Sequence, residues 1–315
     1  MDTTLGETGL TVTRIGLGLA ALGRPAYINL GHAADLAGHT DVGSMEQGAH
    51  AVLDAAYAGG IRYFDAARSY GKAEAFLASW LDRRGLGPDE VTVGSKWGYT
   101  YTADWRIDVD VHEVKDLGAE NFRRQLAETR ELLGDHLRLY QIHSATLDSG
   151  VLDDREVLGE LAALRAGGVR IGFTTSGPRQ ADTIERALEV GGFDTVQSTW
   201  NLFERSAGAA LVTAHEAGLG VIIKEALANG RLTERGDVGE LVSAARDAGV
   251  APDALALAAV LAQPWVDVVL SGASTVWELQ SNLTALQVGV SAQHLEGLAE
   301  DREMYWEKRS ELPWN

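Results

Sequence analysis

The sequence predicts a (β/α)8 barrel of the TIM type, and three observations support this fold class. Eight short β-branched runs alternate with longer segments of helical period, which is typical of parallel strands joined by helices. Glycine pairs stand after several helical segments, where a left-handed residue ends a helix. An open doubly wound sheet is the alternative, but Gly16 and Gly18 lack the third glycine of its phosphate-binding fingerprint. We therefore expect one barrel domain over residues 1–315.

The predicted elements follow one another in a regular order. The strands are rich in Val, Ile and Thr and span residues 13–19, 61–66, 91–97, 137–143, 169–175, 195–200, 220–224 and 266–271. The helices have apolar residues three or four positions apart and span residues 45–58, 73–83, 119–133, 154–165, 179–190, 208–217, 238–261 and 276–286. The segment 238–261 is long enough for two helices.

Three stretches interrupt this alternation. Residues 24–43 and 99–118 are long inserts after the first and third strands, and residues 292–315 form a polar helix and a tail. Loops that follow the strands of such a barrel lie on its C-terminal face, where ligands bind. Because loops of this length are commonly functional, we expect the long βα loops to border the ligand site.

Composition excludes several classes of function. The 45 acidic and 27 basic residues give a net charge of −18 without a basic stripe, which argues against nucleic-acid binding. No apolar run reaches the roughly 18 residues of a membrane span, and no secretory leader is recognisable, so we expect no membrane contact and a cytoplasmic location. The absence of cysteine excludes thiolate sites, and the histidines lack metal-ligand spacing, so we predict no metal. The oligomeric state is open.

Four residues with complementary chemistry follow three consecutive strands. Asp65 ends the second strand and Tyr70 follows it, while Lys96 and His143 end the third and fourth strands. Parallel strands of a barrel end on one face, so these side chains are expected to converge.

This set of side chains suits acid–base chemistry at an oxygen atom. A tyrosine has a pKa of about 10, and a neighbouring ammonium favours the phenolate. Lys96 is therefore expected to lower the pKa of Tyr70, Asp65 to hold Lys96, and His143 to orient the substrate oxygen. The reaction that fits is protonation of a carbonyl oxygen as hydride reaches its carbon, or the reverse.

These residues resemble the catalytic four of the aldo-keto reductase family, and the resemblance covers nearly the whole chain. Its anchors are residues 5–10, 15–18, 64–65, 70–71, 96, 143, 171–172, 197 and 282–283. The resemblance implies a barrel whose bottom is plugged by a small hairpin over residues 5–12. It also implies hydride transfer between a nicotinamide cofactor and a small carbonyl or polyol/sugar substrate, with Tyr70 as general acid and base.

The cofactor contacts that the resemblance implies are less closely matched. Thr174 and Thr175 stand where the family usually has Ser-Asn on the nicotinamide carboxamide, and Gln197 is the third partner. Lys224 replaces an aromatic ring that stacks on the nicotinamide in many relatives, and a cation there would disfavour the oxidised ring. The implied cofactor-binding residues are Gly18, Leu19, Thr174, Thr175, Gln197, Lys224, Glu225, Leu227, Asn229, Gly230, Ser274, Glu278 and Asn282.

The segment 271–282 favours NAD(H) over NADP(H). Relatives that prefer NADP carry Arg or Lys there to bind the adenosine 2′-phosphate, and this segment has neither. Glu278 stands at such a position, where its carboxylate would repel a phosphate and accept hydrogen bonds from a free ribose hydroxyl. Asn282 is expected to bind adenine.

Aromatic residues near strand ends are candidates for the substrate pocket. They are Trp97, Tyr99 and Trp200, with Tyr27 in the first insert. Trp80, Trp277 and Trp306 lie in helices and are expected to be packing residues.

Two other functions remain open at this point. One is a sugar epimerase or isomerase with tightly bound NAD, which the unusual Lys224 and the missing phosphate ligand keep under consideration. The other is a cofactor-binding regulatory subunit, against which the presence of all four catalytic residues argues. The sequence does not identify the substrate or the physiological direction.

Overall fold

Eight parallel strands close into a barrel in the computed structural model, which describes residues 2–289 and 292–315. They pair in chain order, and the last strand pairs with the first. The strands are β1 (Ile15–Gly18), β2 (Tyr63–Asp65), β3 (Thr92–Trp97), β4 (Leu137–Ala145), β5 (Arg170–Thr175), β6 (Thr195–Thr199), β7 (Gly220–Lys224) and β8 (Val268–Ser271). The predicted (β/α)8 fold class is therefore confirmed.

Helices surround the barrel, and all except the short α1 lie in segments where the sequence predicts a helix. In the described part of the chain they are α1 (His32–Leu36), α2 (Val42–Ala58), α3 (Ala73–Arg84), α4 (Ala119–Leu133), α5 (Arg155–Ala166), α6 (Gln180–Val190), α7 (Gly208–Glu216), α8 (Gly239–Ala248), α9 (Pro252–Leu261), α10 (Val276–Thr284) and α11 (Arg302–Ser310). The segment 238–261 divides because Gly249, with φ at +69°, ends α8 and Pro252 begins α9.

The N-terminal hairpin covers the lower end of the barrel. Strands Asp2–Thr4 and Thr11–Thr13 pair in antiparallel register. Leu5 and Val12 are fully buried in an apolar cluster with side chains from inside the barrel. Gly220 begins β7 beneath Leu5, and a Cβ atom there would lie 2.5 Å from the Leu5 Cγ atom. The hairpin thus closes the bottom with apolar contacts.

The two long inserts contain more regular structure than the sequence indicates. Residues 24–43 include α1, and residues 99–118 form a second antiparallel hairpin from Tyr99–Tyr101 and Glu113–Lys115. This hairpin was not predicted because its strands have three residues each, too few for a two-residue period to be recognised. Both inserts follow strands and lie at the upper, C-terminal end of the barrel.

The main apolar core lies between the barrel and its helices. Trp80 of α3 is fully buried, with its ring 5.3 Å from that of Phe64 on β2. This layer fixes the strands whose upper ends carry the candidate site. No helix in residues 2–289 and 292–315 is both long and apolar enough to cross a membrane.

Candidate active site

The structure brings Asp65, Tyr70, Lys96 and His143 together at the upper end of the barrel. The Lys96 ammonium is fully buried, bonds to the Asp65 carboxylate, and lies 3.4 Å from the Tyr70 hydroxyl. The rings of Tyr70 and His143 meet edge to face with centroids 5.5 Å apart. Asp65, Tyr70 and His143 line one large cleft.

Asp65 is the centre of a buried hydrogen-bond network. Its Oδ1 atom accepts from the Tyr63 hydroxyl at 3.1 Å and from Gln197 Nε2 at 3.0 Å. Its Oδ2 atom accepts from Lys96, whose ammonium also donates to the Ala66 carbonyl at 2.9 Å. A buried carboxylate with several donors holds its position, so Asp65 fixes the ammonium beside Tyr70.

The pKa of Tyr70 differs from the sequence-based expectation. Burial raises the pKa of Tyr70 well above its ordinary value, and the Asp65 carboxylate adds to the rise. The net pKa of Tyr70 is therefore not lowered in the protein alone, because Asp65 compensates the charge of Lys96 and the phenol is removed from water. Tyr70 therefore carries its proton at neutral pH.

A bulge at the end of β4 aims His143 into the cleft. The pairing of β4 with β5 is irregular between Ile142 and Ala145, and Ser144 has φ at +54°. The Ser144 N–H donates to the Thr174 hydroxyl at 2.7 Å, which holds the bulge. Burial, together with the ammonium groups of Lys96 and Lys224, lowers the pKa of His143 well below its ordinary value. The imidazole is therefore neutral.

The Lys224 ammonium lies among polar groups at the ends of β6 and β7. Its ammonium donates to the Thr199 hydroxyl at 3.0 Å and lies 3.9 Å from a Glu225 carboxylate oxygen. Burial lowers the pKa of Lys224 to about 8, although Glu225 opposes the fall. Burial alone would raise the pKa of Glu225, but Arg309 of α11 and Lys224 bring it to about 2.

The turn after β7 combines unusual backbone geometry with a buried polar atom. Glu225, Ala228 and Asn229 all have φ between +48° and +56°, a region that is unfavourable for residues other than glycine. The Asn229 Oδ1 atom is buried and has no hydrogen-bond partner among the described residues. Together with Leu227 and Gly230, Asn229 lines the cleft, where a ligand donor would satisfy this atom.

The far end of the cleft is formed by α9 and α10. Asn282 accepts from Ser271 at 2.7 Å and donates to Asp253 at 2.7 Å. Glu278 and Thr275 form the capping box of α10, and Glu278 also accepts from the Ser274 N–H at 2.9 Å. Trp277 lines the cleft with 67% of its surface exposed, so its expected packing role is wrong: it lies on the outer face of α10.

Arg24 is a site residue that the sequence did not single out. It is 3% exposed, donates to Glu113 at 2.9 Å, and lies over the Trp314 ring at 4.7 Å. Trp314 comes from the tail, which is held to Tyr27 by a pair of backbone hydrogen bonds between Tyr27 and Asn315. Insert and tail thus form one wall of the cleft, with the Tyr27 side chain on its surface.

Several predicted site residues lie outside the cleft, within the packed interior. Leu19 is fully buried in the core, Trp97 packs against Phe122 of α4, and Trp200 packs against Trp265. Their side chains point toward the helices, because alternate residues of a strand face opposite sides.

Three further predicted residues lie beside the cleft lining. Thr174 and Thr175 are fully buried, and Thr175 donates to Ser198 at 2.8 Å, while the adjacent Ser176 lines the cleft. Tyr99 borders the site indirectly, with its ring 5.0 Å from that of His143. The Thr174 and Thr175 hydroxyl groups are therefore engaged by Ser144 and Ser198 behind the cleft lining.

The residues missed by sequence reasoning come from the inserts, the loop after β7 and the C-terminal region. Arg24, Glu113 and Arg235 belong to inserts or loops, and Arg309 belongs to the C-terminal helix. The one available signal was the position of the inserts after strands, which places them on the ligand-binding face.

The fold and this cluster of acid, amine, phenol and imidazole define a barrel oxidoreductase. The Aldo/keto reductase family model matches residues 14–300, and the chain belongs to this family. It is 26% identical over 333 residues to the uncharacterized oxidoreductase YrpG of Bacillus subtilis, covering 93% of each chain.

Two other similarities bear on fold and function. The chain is 24% identical over 321 residues to the NADH-specific methylglyoxal reductase of Escherichia coli, covering 91% of this chain and 94% of the relative. The holo form of the aldo-keto reductase AKR11C1 from Bacillus halodurans superposes with a TM-score of 0.74 at 21% identity, covering 95% and 96% of the two chains. This last similarity concerns the fold alone.

Proposed function

We propose that this oxidoreductase interconverts a small carbonyl compound and its alcohol by hydride transfer, with Tyr70 as proton donor and acceptor. The observation that carries the proposal is the buried chain of contacts from Asp65 through Lys96 to the Tyr70 hydroxyl, beside a neutral His143. Enzymes of the aldo-keto reductase family use nicotinamide cofactors, and such a cofactor supplies or accepts the hydride when bound.

Each of the four residues has a distinct role in the proposed reaction. Burial keeps Tyr70 protonated, so the phenol has a proton to give to a carbonyl oxygen. The Lys96 ammonium stabilises the phenolate that remains, and Asp65 holds that ammonium in place. His143 hydrogen-bonds to the substrate oxygen. In the reverse direction, the phenolate accepts the proton of the alcohol.

The residues along the cleft fit an extended dinucleotide. Gly18, Gln197 and Lys224 stand at the end that holds Tyr70, where the redox-active ring belongs. Leu227, Asn229 and Gly230 line the cleft between the two ends, and the buried Asn229 oxygen has no hydrogen-bond partner among the described residues. At the far end Glu278 and Asn282 line the cleft and would hold the adenosine, with Ser274 behind them bonded to Glu278.

We favour NAD(H) over NADP(H) as the cofactor. The segment 271–282 carries no Arg or Lys, and Glu278 presents a carboxylate there. A free ribose hydroxyl can donate to a carboxylate, whereas a phosphate is repelled by it. The Escherichia coli relative whose name specifies NADH supports the same preference.

The proposed substrates are small hydroxylated carbonyl compounds such as aldoses. Charged side chains of Arg24, Glu113 and Glu225 line the cleft beside the aromatic ring of Tyr27. Polar groups that bind hydroxyls next to aromatic faces that bind C–H surfaces suit a sugar better than an apolar aldehyde.

The test compares turnover of the wild type with that of Tyr70→Phe. NADH oxidation is followed with methylglyoxal and a panel of aldoses, and NAD⁺ reduction with the matching alcohols and sugars. We expect Tyr70→Phe to lose about 10³-fold in turnover through loss of the proton donor. Its NADH dissociation constant, measured by tryptophan fluorescence, is expected to change by less than about twofold, because the hydroxyl contributes little to ground-state binding.

Tyr27→Phe is the matched control, because it removes a hydroxyl from the same cleft without touching Lys96. We expect this variant to keep most of the wild-type turnover. Normal turnover by Tyr70→Phe on a substrate that the wild type converts would contradict the assignment.

A further inference from the structure

Three separate segments of the chain meet over the far end of the cleft, where α10 begins. Arg235 lies in the loop between β7 and α8, Asp35 lies in α1 of the first insert, and Glu278 lies in α10. The Arg235 guanidinium binds both oxygens of Asp35, with one contact of 2.7 Å, and lies 3.4 Å from a Glu278 oxygen. We call these three residues the arginine bridge.

The geometry of the arginine bridge is set by the surrounding backbone. The Arg235 Nη1 atom also donates to the Leu30 carbonyl at 2.8 Å. A Cβ atom on Gly31, whose φ is +82°, would lie 2.6 Å from Nη1, so glycine at this position lets the guanidinium lie against the insert. Arg235 is therefore held by backbone contacts as well as by the ion pairs.

Both carboxylates of the bridge are also fixed. The Asp35 side chain is 8% exposed, and the Ser274 hydroxyl lies 3.4 Å from its Oδ2 atom. The second oxygen of Glu278 accepts from the Ser274 hydroxyl at 3.0 Å and from the Thr275 N–H at 3.2 Å. Neither carboxylate can turn away without losing hydrogen bonds.

The charge balance of the bridge bears on what can bind beside it. A guanidinium with free donors is a strong ligand for phosphate. Here one guanidinium stands between two carboxylates, so the bridge carries a net negative charge. Exposed Trp277 lies next to Glu278 and offers a face for a base. The surroundings thus suit an uncharged adenosine better than a phosphorylated one.

We propose that Asp35 sets coenzyme specificity by keeping Arg235 engaged, so that this end of the cleft accepts a ribose with a free 2′-hydroxyl and rejects a 2′-phosphate. The inference rests on the proposed function and adds its specificity-determining residue. A 2′-phosphate would have to displace a bidentate carboxylate from Arg235 while facing Glu278. Without the negative charge of Asp35, the same guanidinium becomes a phosphate ligand.

The experiment measures coenzyme affinity rather than activity. The full chain and its Asp35→Asn variant are titrated with NADH and NADPH by tryptophan fluorescence, with adenosine 2′,5′-bisphosphate as a competing probe. We expect Asp35→Asn to tighten NADPH binding by about fivefold or more, since Arg235 gains a charged partner in the ligand. NADH affinity is expected to stay within about twofold, because the free ribose makes no new ion pair.

Two control variants separate this mechanism from a change in overall charge. Glu234 lines the same cleft, is exposed, and forms no ion pair within the described residues. Glu234→Gln therefore removes one negative charge nearby without releasing Arg235. The double variant Asp35→Asn with Arg235→Ala removes the guanidinium itself, and we expect it to lose the gain in NADPH affinity.

Each result of these titrations either supports or overturns the proposal. A gain in NADPH affinity confined to Asp35→Asn and dependent on Arg235 supports the proposal. The proposal is overturned if Glu234→Gln gains as much NADPH affinity, or if the gain survives the loss of Arg235. It is also overturned if a folded Asp35→Asn binds NADH but shows no gain in NADPH affinity. If the folded wild type binds neither coenzyme, the proposed function fails and this inference fails with it.

Discussion

The two ends of the barrel use opposite chemistry. At the lower end, Leu5 and Val12 of the hairpin pack on apolar side chains inside the barrel. At the upper end, Lys96, Asp65 and Lys224 are charged groups within the same barrel that have little contact with water. The lower end stabilises the fold by apolar burial, whereas the upper end holds groups whose desolvation opposes folding.

This contrast shows where the chain can change and what each change affects. Substitutions at the lower end are expected to act on stability, because the hairpin side chains there pack in an apolar cluster. Substitutions at the upper end act on chemistry, and some of them are expected to increase stability. The three residues with left-handed backbone that follow β7 lie at the upper end, and strained backbone of this kind is typical of functional turns.

Lys96→Met is expected to have the largest effect, because it acts on chemistry and stability together. It leaves Asp65 buried without its cation, which destabilises a protein by about 3–5 kcal/mol, and it removes the partner of the Tyr70 phenolate. Urea unfolding and turnover measure the two losses. The double variant Lys96→Met with Asp65→Asn is expected to recover stability but not turnover; recovery of both would remove Lys96 from the mechanism.

Leu5→Ala is expected to affect stability alone. The side chain is fully buried over Gly220, so its truncation should lower the free energy of unfolding by about 2–5 kcal/mol. Turnover per folded molecule should equal that of the wild type, since the site is at the opposite end. Thermal unfolding and active-site titration check these expectations. A fall in turnover of the folded variant would show that the two ends are coupled.

Lys224→Met is expected to have a smaller effect on stability, and in the opposite direction. Burial lowers the pKa of Lys224 from 10.5 to about 8, so the folded state binds this proton less tightly than the unfolded state. The resulting loss of stability is fully present below pH 8 and disappears as the pH rises to 10.5. The variant should therefore be more stable at pH 7 by about 1–3 kcal/mol.

The pH dependence of unfolding checks this interpretation of Lys224. The stability advantage of Lys224→Met should shrink between pH 8 and pH 10.5, where the ammonium loses its proton. Thr199→Val is a matched control, because it removes the hydroxyl that accepts from Lys224 but leaves the ammonium in place. A variant that is less stable at pH 7 would show that Lys224 contributes to folding.

The fold was predictable from the sequence because its signals are local and periodic. The eight strands, the division of segment 238–261 and the N-terminal plug all follow from apolar spacing, glycine positions or family resemblance. The convergence of Asp65, Tyr70, Lys96 and His143 follows from parallel strand ends. The structure of the two long inserts and of the tail depends on tertiary packing, which no local pattern in the sequence reveals.

The differences between the expected and observed positions of site residues have specific physical causes. Thr174 and Thr175 were assigned to the cofactor, but the β4 bulge and Ser198 engage their hydroxyls, and Ser176 lines the cleft instead. Trp97 was assigned to the pocket, but it follows Lys96 on β3, and consecutive strand residues face opposite sides, so its side chain faces α4. Arg235 could not be located, since no period connects a loop to a distant insert.

Transfer of deuterium from NADH dideuterated at C4 tests the central claim most directly. The substrate is the best carbonyl compound found in the turnover screen, and the product is analysed by mass spectrometry and NMR. We expect one deuterium on the carbinol carbon with the wild type and at most a trace with Tyr70→Phe. Carbonyl reduction by the wild type without deuterium at that carbon would contradict hydride transfer at the upper end of the barrel.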